Sequence, residues 1–159
     1  MNKSALIKKI IADLLGKLAL YAKAARTARD EATDDQSKAE DKYDTRGLEA
    51  SYLARGQSMH AAETEQALEQ FQRLAVREFK PKDPIDIGAL VELEGKEGRT
   101  FYFIGPCAGG TEIVHEKQEV LVITPQSPLG QQLVGKKQGA RLKIKIGRFP
   151  DDYRVVSVS

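Results

Sequence analysis

Between Asp30 and Asp44 the chain carries seven carboxylates (Asp30, Glu31, Asp34, Asp35, Glu40, Asp41 and Asp44) against two lysines, Lys38 and Lys42. Acids this close repel one another, and a folded chain tolerates them where water or a cation screens their charge. A bend held out in solvent is such a place. The pair Asp41 and Asp44 also has the spacing of a helix start, with Asp41 as N-cap and Asp44 at the third helical position. Both positions favour negative charge beside the positive end of the helix dipole. Asp34 and Asp35 suit the end or the solvated face of a preceding helix.

Other reactive side chains are sparse. Cys107 is the single cysteine, which excludes an internal disulfide and a multi-cysteine metal site. It sits in Gly-Pro-Cys-Ala-Gly-Gly with no base or second thiol nearby, so a loop residue is expected. His60 and His115 lack a Cys or His at ligand spacing and read as structural or exposed. The glycines around Cys107 fit neither the phosphate-loop nor the dinucleotide pattern.

Net charge is +2, which argues against a strongly basic nucleic-acid binder and against sequence-specific DNA recognition. The distribution is polarised, however: Lys3 to Arg29 holds seven Lys or Arg and one acid, Asp13, and the acidic stretch follows. The basic residues there suit a solvated helix face or a guide for RNA. Lys8, Lys9 and Asp13 interrupt the apolar start, which therefore reads as neither signal peptide nor membrane span. A cytoplasmic protein without a membrane partner is expected.

Two long helices must position the acids. Ile7, Ile10, Leu14, Leu18, Tyr21, Ala25 and Ala28 recur at spacings of three and four, predicting a helix from Ser4 to about Thr33. A second helix is expected from Asp44 or Thr45 to about Glu78, with Leu48, Tyr52, Met59, Ala62, Leu68 and Phe71 on its apolar face. Gly47 and Gly56 weaken it by about 1 kcal/mol each relative to alanine and invite a kink. Helices of this length joined by a short bend pair antiparallel as a coiled-coil hairpin, each arm roughly 45 Å long. Such a pair buries little per residue and needs bracing at its open end.

Phe79-Lys80-Pro81-Lys82-Asp83-Pro84 ends the helical half. Beyond it the periodicity shortens. Leu90–Glu94 and Arg99–Ile104 read as a hairpin about the turn Gly95-Lys96-Glu97-Gly98. Glu112–Val114 and Val120–Thr124 are further strands, Leu129 to Val134 a short helix, and Arg141–Ile146 and Tyr153–Val158 the last strands. Leu142, Ile144 and Ile146 alternate with Arg141, Lys143 and Lys145, a half-buried antiparallel pattern. The expected fold class is α+β: residues 1–79 form a hairpin with its acidic tip near 34–46, and 80–159 form a small antiparallel sheet domain.

The run from Ile123 to Ala140, Ile-Thr-Pro-Gln-Ser-Pro-Leu-Gly-Gln-Gln-Leu-Val-Gly-Lys-Lys-Gln-Gly-Ala, resembles a signature of the Gre transcript cleavage factors. That signature reads Ser-Pro-Ile-(Gly/Ala)-x-Ala-Leu-(Leu/Ile)-Gly-Lys-x-x-Gly-Asp. The likeness extends over roughly Leu90 to Val158. It implies an FKBP-like sheet domain that binds the rim of the secondary channel of bacterial RNA polymerase, with Ser127, Pro128, Leu129, Lys136 and Lys137 at the contact. Family members place a coiled coil before this domain with Asp-x-x-Glu at its tip, then Asn-Ala-Glu-Tyr. Here Asp41-Lys42-Tyr43-Asp44 keeps the spacing of the acids, and Thr45-Arg46-Gly47-Leu48 follows.

The resemblance implies an accessory factor, not an enzyme in its own right. Backtracked RNA is cut in the polymerase's own active site, where a second Mg²⁺ is weakly held. Mg²⁺ accepts one or two protein carboxylates and keeps most of its waters. Asp41 and Asp44 would be the metal-directed, catalytic pair, with Glu40 in reserve and the RNA 3′ end alongside. A relative that occupies the channel without cleavage is the alternative. A prolyl isomerase on the same sheet is a remote third, since fold is poor evidence for that activity and the chain has no tryptophan to floor a proline pocket.

Overall fold

The structure of the protein is a computed structural model that describes residues 1–34, 38–40, 42–145 and 150–159. The fold is α+β. In chain order the elements are α1 (Lys3–Thr33), α2 (Arg46–Gln72), β1 (Leu90–Gly95), β2 (Gly98–Ile104), β3 (Glu112–His115), β4 (Gln118–Ile123), α3 (Pro128–Leu133), β5 (Arg141–Ile144) and β6 (Asp151–Val158). They form two compact units, one of Met1–Ile10 with Gln70–Ser159 and the other of Ile11–Glu69.

In the helical unit α1 and α2 run antiparallel. The Tyr21 ring meets His60 at 5.4 Å between centroids, and Glu31, further along α1, meets Arg46 near the start of α2. The seam differs from the expected one. Leu48, Tyr52 and Met59 are all more than half exposed, whereas Ala28 and Ala50 are buried. Alanines Ala22, Ala25, Ala61 and Ala62 line a cleft of about 500 Å³ within this unit. Leu14 and Leu68 are buried as expected, but between them small side chains carry much of the seam and several large ones face water, which limits what this pair gains from burial.

The sheet unit is a six-stranded sheet in the order β3-β4-β2-β1-β6-β5. It is mixed and not wholly antiparallel as expected: β2 and β4 pair in parallel, Phe101 opposite Val120 through Ile104 opposite Ile123. The physical reason is the intervening β3, which pairs antiparallel with β4 and so turns β4 back alongside β2. The β3–β4 turn is Glu116-Lys117, both at positive φ (50° and 65°), the geometry of a tight primed hairpin turn built without the usual Asn-Gly. The β1–β2 hairpin closes as expected, Gly95 opposite Gly98.

One sheet face holds the core: Val91, Leu93, Tyr102, Ile104, Ile123, Ile144, Val155 and Val158, covered by Leu133 of α3 and by Phe79 and Ile85. On the other face Phe103 meets Phe71, centroids 6.4 Å apart. Leu6, Ile7 and Ile10 are buried in the same unit. The start of α1 is capped by Asn2, whose Oδ1 accepts from the Ala5 N–H at 3.0 Å. It is tied to the β3–β4 hairpin because Asn2 N–H donates to Glu116 Oε1 (2.9 Å) and Lys9 Nζ donates to the Val114 carbonyl (2.9 Å).

Helix α2 ends at Gln72, short of the expected Glu78. Phe71 is buried there, and the chain then runs without helix to bury Phe79. Lys3 Nζ donates to the Arg77 carbonyl, supplying a partner for the non-helical backbone. Burial also pushes the Lys3 ammonium below its usual range. Strand β5 is described to Ile144; Ile146, expected to extend it, lies outside the described residues.

Candidate functional site

The acidic bend is built from the ends of α1 and α2. Asp30 and Glu31 lie in the last turns of α1, where the helix dipole disfavours negative charge, and no basic residue occupies that last turn. Arg46 offsets part of this, its Nε 3.2 Å from Glu31 Oε1. Thr33 Oγ donates back to the Arg29 carbonyl at 3.0 Å as the helix closes.

Asp44 accepts from two backbone donors, the Arg46 N–H at Oδ1 and the Glu40 N–H at Oδ2, each at 3.2 Å. The Arg46 N–H first, then that of Glu40, hold the carboxyl below its ordinary range, so Asp44 is charged at neutral pH. The helix begins two residues after Asp44, so Asp44 precedes the helix and does not stand at its third position. Thr45 is the residue at the boundary: its carbonyl accepts from the Glu49 N–H at 2.9 Å and its hydroxyl donates to Glu49 Oε1 at 2.9 Å. Asp41, the other half of the expected pair, lies outside the described residues. Among the described residues no three His, Cys, Asp or Glu side chains come together to hold a metal. Asp44 keeps lone pairs beyond its two hydrogen bonds, so it fits a role as one ligand to an ion held mainly elsewhere.

The second candidate region is the segment around α3. Ser127 is its N-cap: Oγ accepts from the Gly130 N–H at 3.1 Å and donates to the Thr124 carbonyl at 2.7 Å. Pro128 takes the first helical position, where a missing N–H costs nothing. Gly130 is obligatory, because a Cβ there would lie 1.8 Å from the Thr124 oxygen. Leu133 is fully buried and Leu129 packs partly on the core. Gly135, at φ +85°, reverses the chain so that Ile85 N–H donates to the Lys136 carbonyl at 2.7 Å. Of the five expected contact residues, Ser127 and Leu129 therefore serve the fold. Pro128, Lys136 and Lys137 are exposed on this segment.

His60 is exposed, with Nδ1 3.6 Å from Glu63. His115 is buried, and neither ring nitrogen has a hydrogen-bond partner among the described residues; Nε2 lies 3.3 Å from Glu116 Oε1 without bonding alignment. Cys107 is half-buried, and that burial pushes its thiol up, away from reactivity. Two further features have no clear signature in the sequence. The Glu31–Arg46 pair joins residues far apart in the chain and has no local signature. On the sheet, Glu94 bridges Arg99 and Arg154 at 3.4 and 2.8 Å; the Glu94–Arg99 half could have been found from the hairpin register. Among the described residues no helix is long and apolar enough to cross a membrane.

No family model matches the chain, and no curated protein matches it. Solved structures do. The GreA factor homolog 1 (Gfh1) protein of Thermus thermophilus is 21% identical over 94% of this chain and 94% of that chain, with a TM-score of 0.40. Thermus aquaticus Gfh1 is 21% identical over 92% of each chain, with a TM-score of 0.41. The prokaryotic transcription elongation factor GreA/GreB from Nitrosomonas europaea is 17% identical over 70% of this chain and 92% of that chain, with a TM-score of 0.37.

Proposed function

We propose that the protein is an accessory transcription elongation factor that docks on bacterial RNA polymerase through its sheet unit. It brings the acidic bend into the secondary channel and stimulates cleavage of backtracked RNA. It works in the cytoplasm beside the polymerase and is not itself an enzyme. The observation that carries this reading is the Ser127–Ala140 segment. Its residues resemble the Gre signature, and Ser127, Gly130, Leu133 and Gly135 use that signature to hold Pro128, Lys136 and Lys137 outward in fixed positions.

Asp41 and Asp44 are the carboxylates offered to the polymerase's weakly held Mg²⁺. When bound, that ion would complete a metal pair in which one ion generates the attacking hydroxide and the other stabilises the leaving oxygen. Asp44 presents an ionised carboxylate whose direction is set by the Arg46 and Glu40 amides, so little rotational freedom is lost when it meets a cation. A second reading rests on the same bonds. Asp44 already caps the bend, so its acid has a structural use without chemistry, and the factor would then occupy the channel as a regulator.

The test is cleavage of labelled transcript in a purified backtracked polymerase complex, with the parent protein, Asp44→Asn, and Asp41→Ala/Asp44→Ala. Stimulation by the parent, lost in variants that still bind, is the expected result. An inert parent that protects the transcript against a known cleavage factor selects the regulator. Absence of polymerase binding overturns both.

A further inference from the structure

Strand β5 is one edge of the sheet, so among the described residues its outward backbone groups have no neighbouring strand. Register places four side chains in one row across the sheet: Arg99 on β2 stands opposite Glu94 on β1, Glu94 opposite Arg154 on β6, and Arg154 opposite Arg141 on β5. The row therefore reads plus, minus, plus, plus. Its first three members are paired, Glu94 Oε2 taking Arg154 Nη2 at 2.8 Å and Oε1 taking Arg99 Nε at 3.4 Å. Arg141 breaks the alternation. It faces a like charge, an arrangement that destabilises a cross-strand pair, and it has no ion pair among the described residues.

One step along β5, Lys143 lies on the same face as Arg141, opposite Asp152, and again has no ion pair among the described residues. Arg141 and Lys143 are both exposed, while Ile144, the last residue of β5, is fully buried and holds the strand in place. Arg141 and Arg154 also line a surface cleft of about 630 Å³ with Lys96 and Tyr153 and with the carboxylates Glu94 and Asp152, so cations outnumber acids there by three to two.

We infer that β5 is a docking edge for an extended acidic segment of a partner protein, which adds as a seventh strand with carboxylates at alternate positions opposite Arg141 and Lys143. Strand addition satisfies the free backbone groups, and the alternating acids set register, because side chains on one face of a strand recur every second residue. The first acid would extend the cross-strand row to plus, minus, plus, plus, minus. Charged edge strands ordinarily keep sheets of like copies apart, and the same charges recruit an oppositely charged strand.

This deepens the docking reading by naming the chemistry of a contact distinct from Pro128, Lys136 and Lys137. The experiment contains no polymerase, so its failure and that of the cleavage assay are separable. A short labelled peptide with Glu alternating with Thr or Val is titrated into the full chain by fluorescence anisotropy, with amide exchange followed along β5. Comparators are the same composition with the acids grouped at one end, the alternating peptide with Lys for Glu, and inorganic polyphosphate. The alternating-Glu peptide should bind best and protect the β5 amides. Arg141→Glu should weaken it about tenfold and admit the Lys peptide, and Lys143→Glu should act in the same direction. Failure of the alternating-Glu peptide to bind, equal binding of the grouped peptide or of polyphosphate, or affinity unchanged by either variant would overturn the inference.

Discussion

At the residue scale Asp44 shows how one carboxylate can hold a bend and still keep lone pairs for a cation. Its folded acidity is strengthened by the Arg46 and Glu40 amides, so it binds its proton less readily in the native chain than in the unfolded one. Its stabilising contribution is therefore complete above the unfolded value of about 3.9 and is lost as pH falls through the lower native value. Asp44→Ala should melt below the parent at neutral pH, followed by helical circular dichroism. That gap should narrow in the acid range below about pH 4. Asp44→Asn, which keeps an acceptor without the charge, should fall between the two. A gap independent of pH would mean that the side chain acts by something other than its charge. The sequence showed that acids gather here and that one helix begins nearby. It did not show which backbone donors Asp44 takes, because that depends on the path of the bend and not on spacing along a helix.

Elements repeat the same division between what is local and what is not. The spacing of Ile7, Ile10 and Leu14 is a property of neighbouring residues, and α1 follows it from Lys3 to Thr33. The Gly95–Gly98 turn was equally legible, since two glycines flank two polar residues. Three features were not. The parallel pairing of β2 and β4 depends on β3, the loss of α2 after Gln72 depends on where Phe71 and Phe79 are buried, and the Glu116-Lys117 turn lacks the residues that usually announce it. The large residues of α2 misled for another reason: Leu48, Tyr52 and Met59 keep helical spacing but face solvent. The glycines give an element-scale prediction. A Cβ at Gly16 or Gly56 would meet nothing within 4 Å, and neither glycine interrupts its helix. Gly16→Ala and Gly56→Ala should each stabilise the helical unit by up to about 1 kcal/mol in denaturant titrations. A loss of stability would mean that the bare backbone at that position is in use.

For the molecule as a whole, the informative fact is that the sheet unit is discontinuous in sequence, taking Met1–Ile10 together with Gln70–Ser159. Leu6, Ile7, Ile10 and Phe71 are buried within it, and Asn2 and Lys9 donate to the β3–β4 hairpin. A fragment of residues 80–159, which a reading of the helices and strands as separate domains would cut, forfeits all of these. Removing one large apolar side chain from a core costs about 2–5 kcal/mol, against a typical domain stability of about 5–15 kcal/mol. The fragment should exchange its β3 and β4 amides rapidly and melt well below the full chain. A fragment as stable as the parent would show the α1 segment to be dispensable. The discontinuity also bears on synthesis. Leu6, Ile7 and Ile10 leave the ribosome long before β4 and β6 exist, and β1 must wait for β6. Contacts of such sequence separation form slowly. During that interval Leu6, Ile7 and Ile10 lack the surface that buries them in the finished protein, so a nascent chain halted before β6 should present an apolar helical face to solvent.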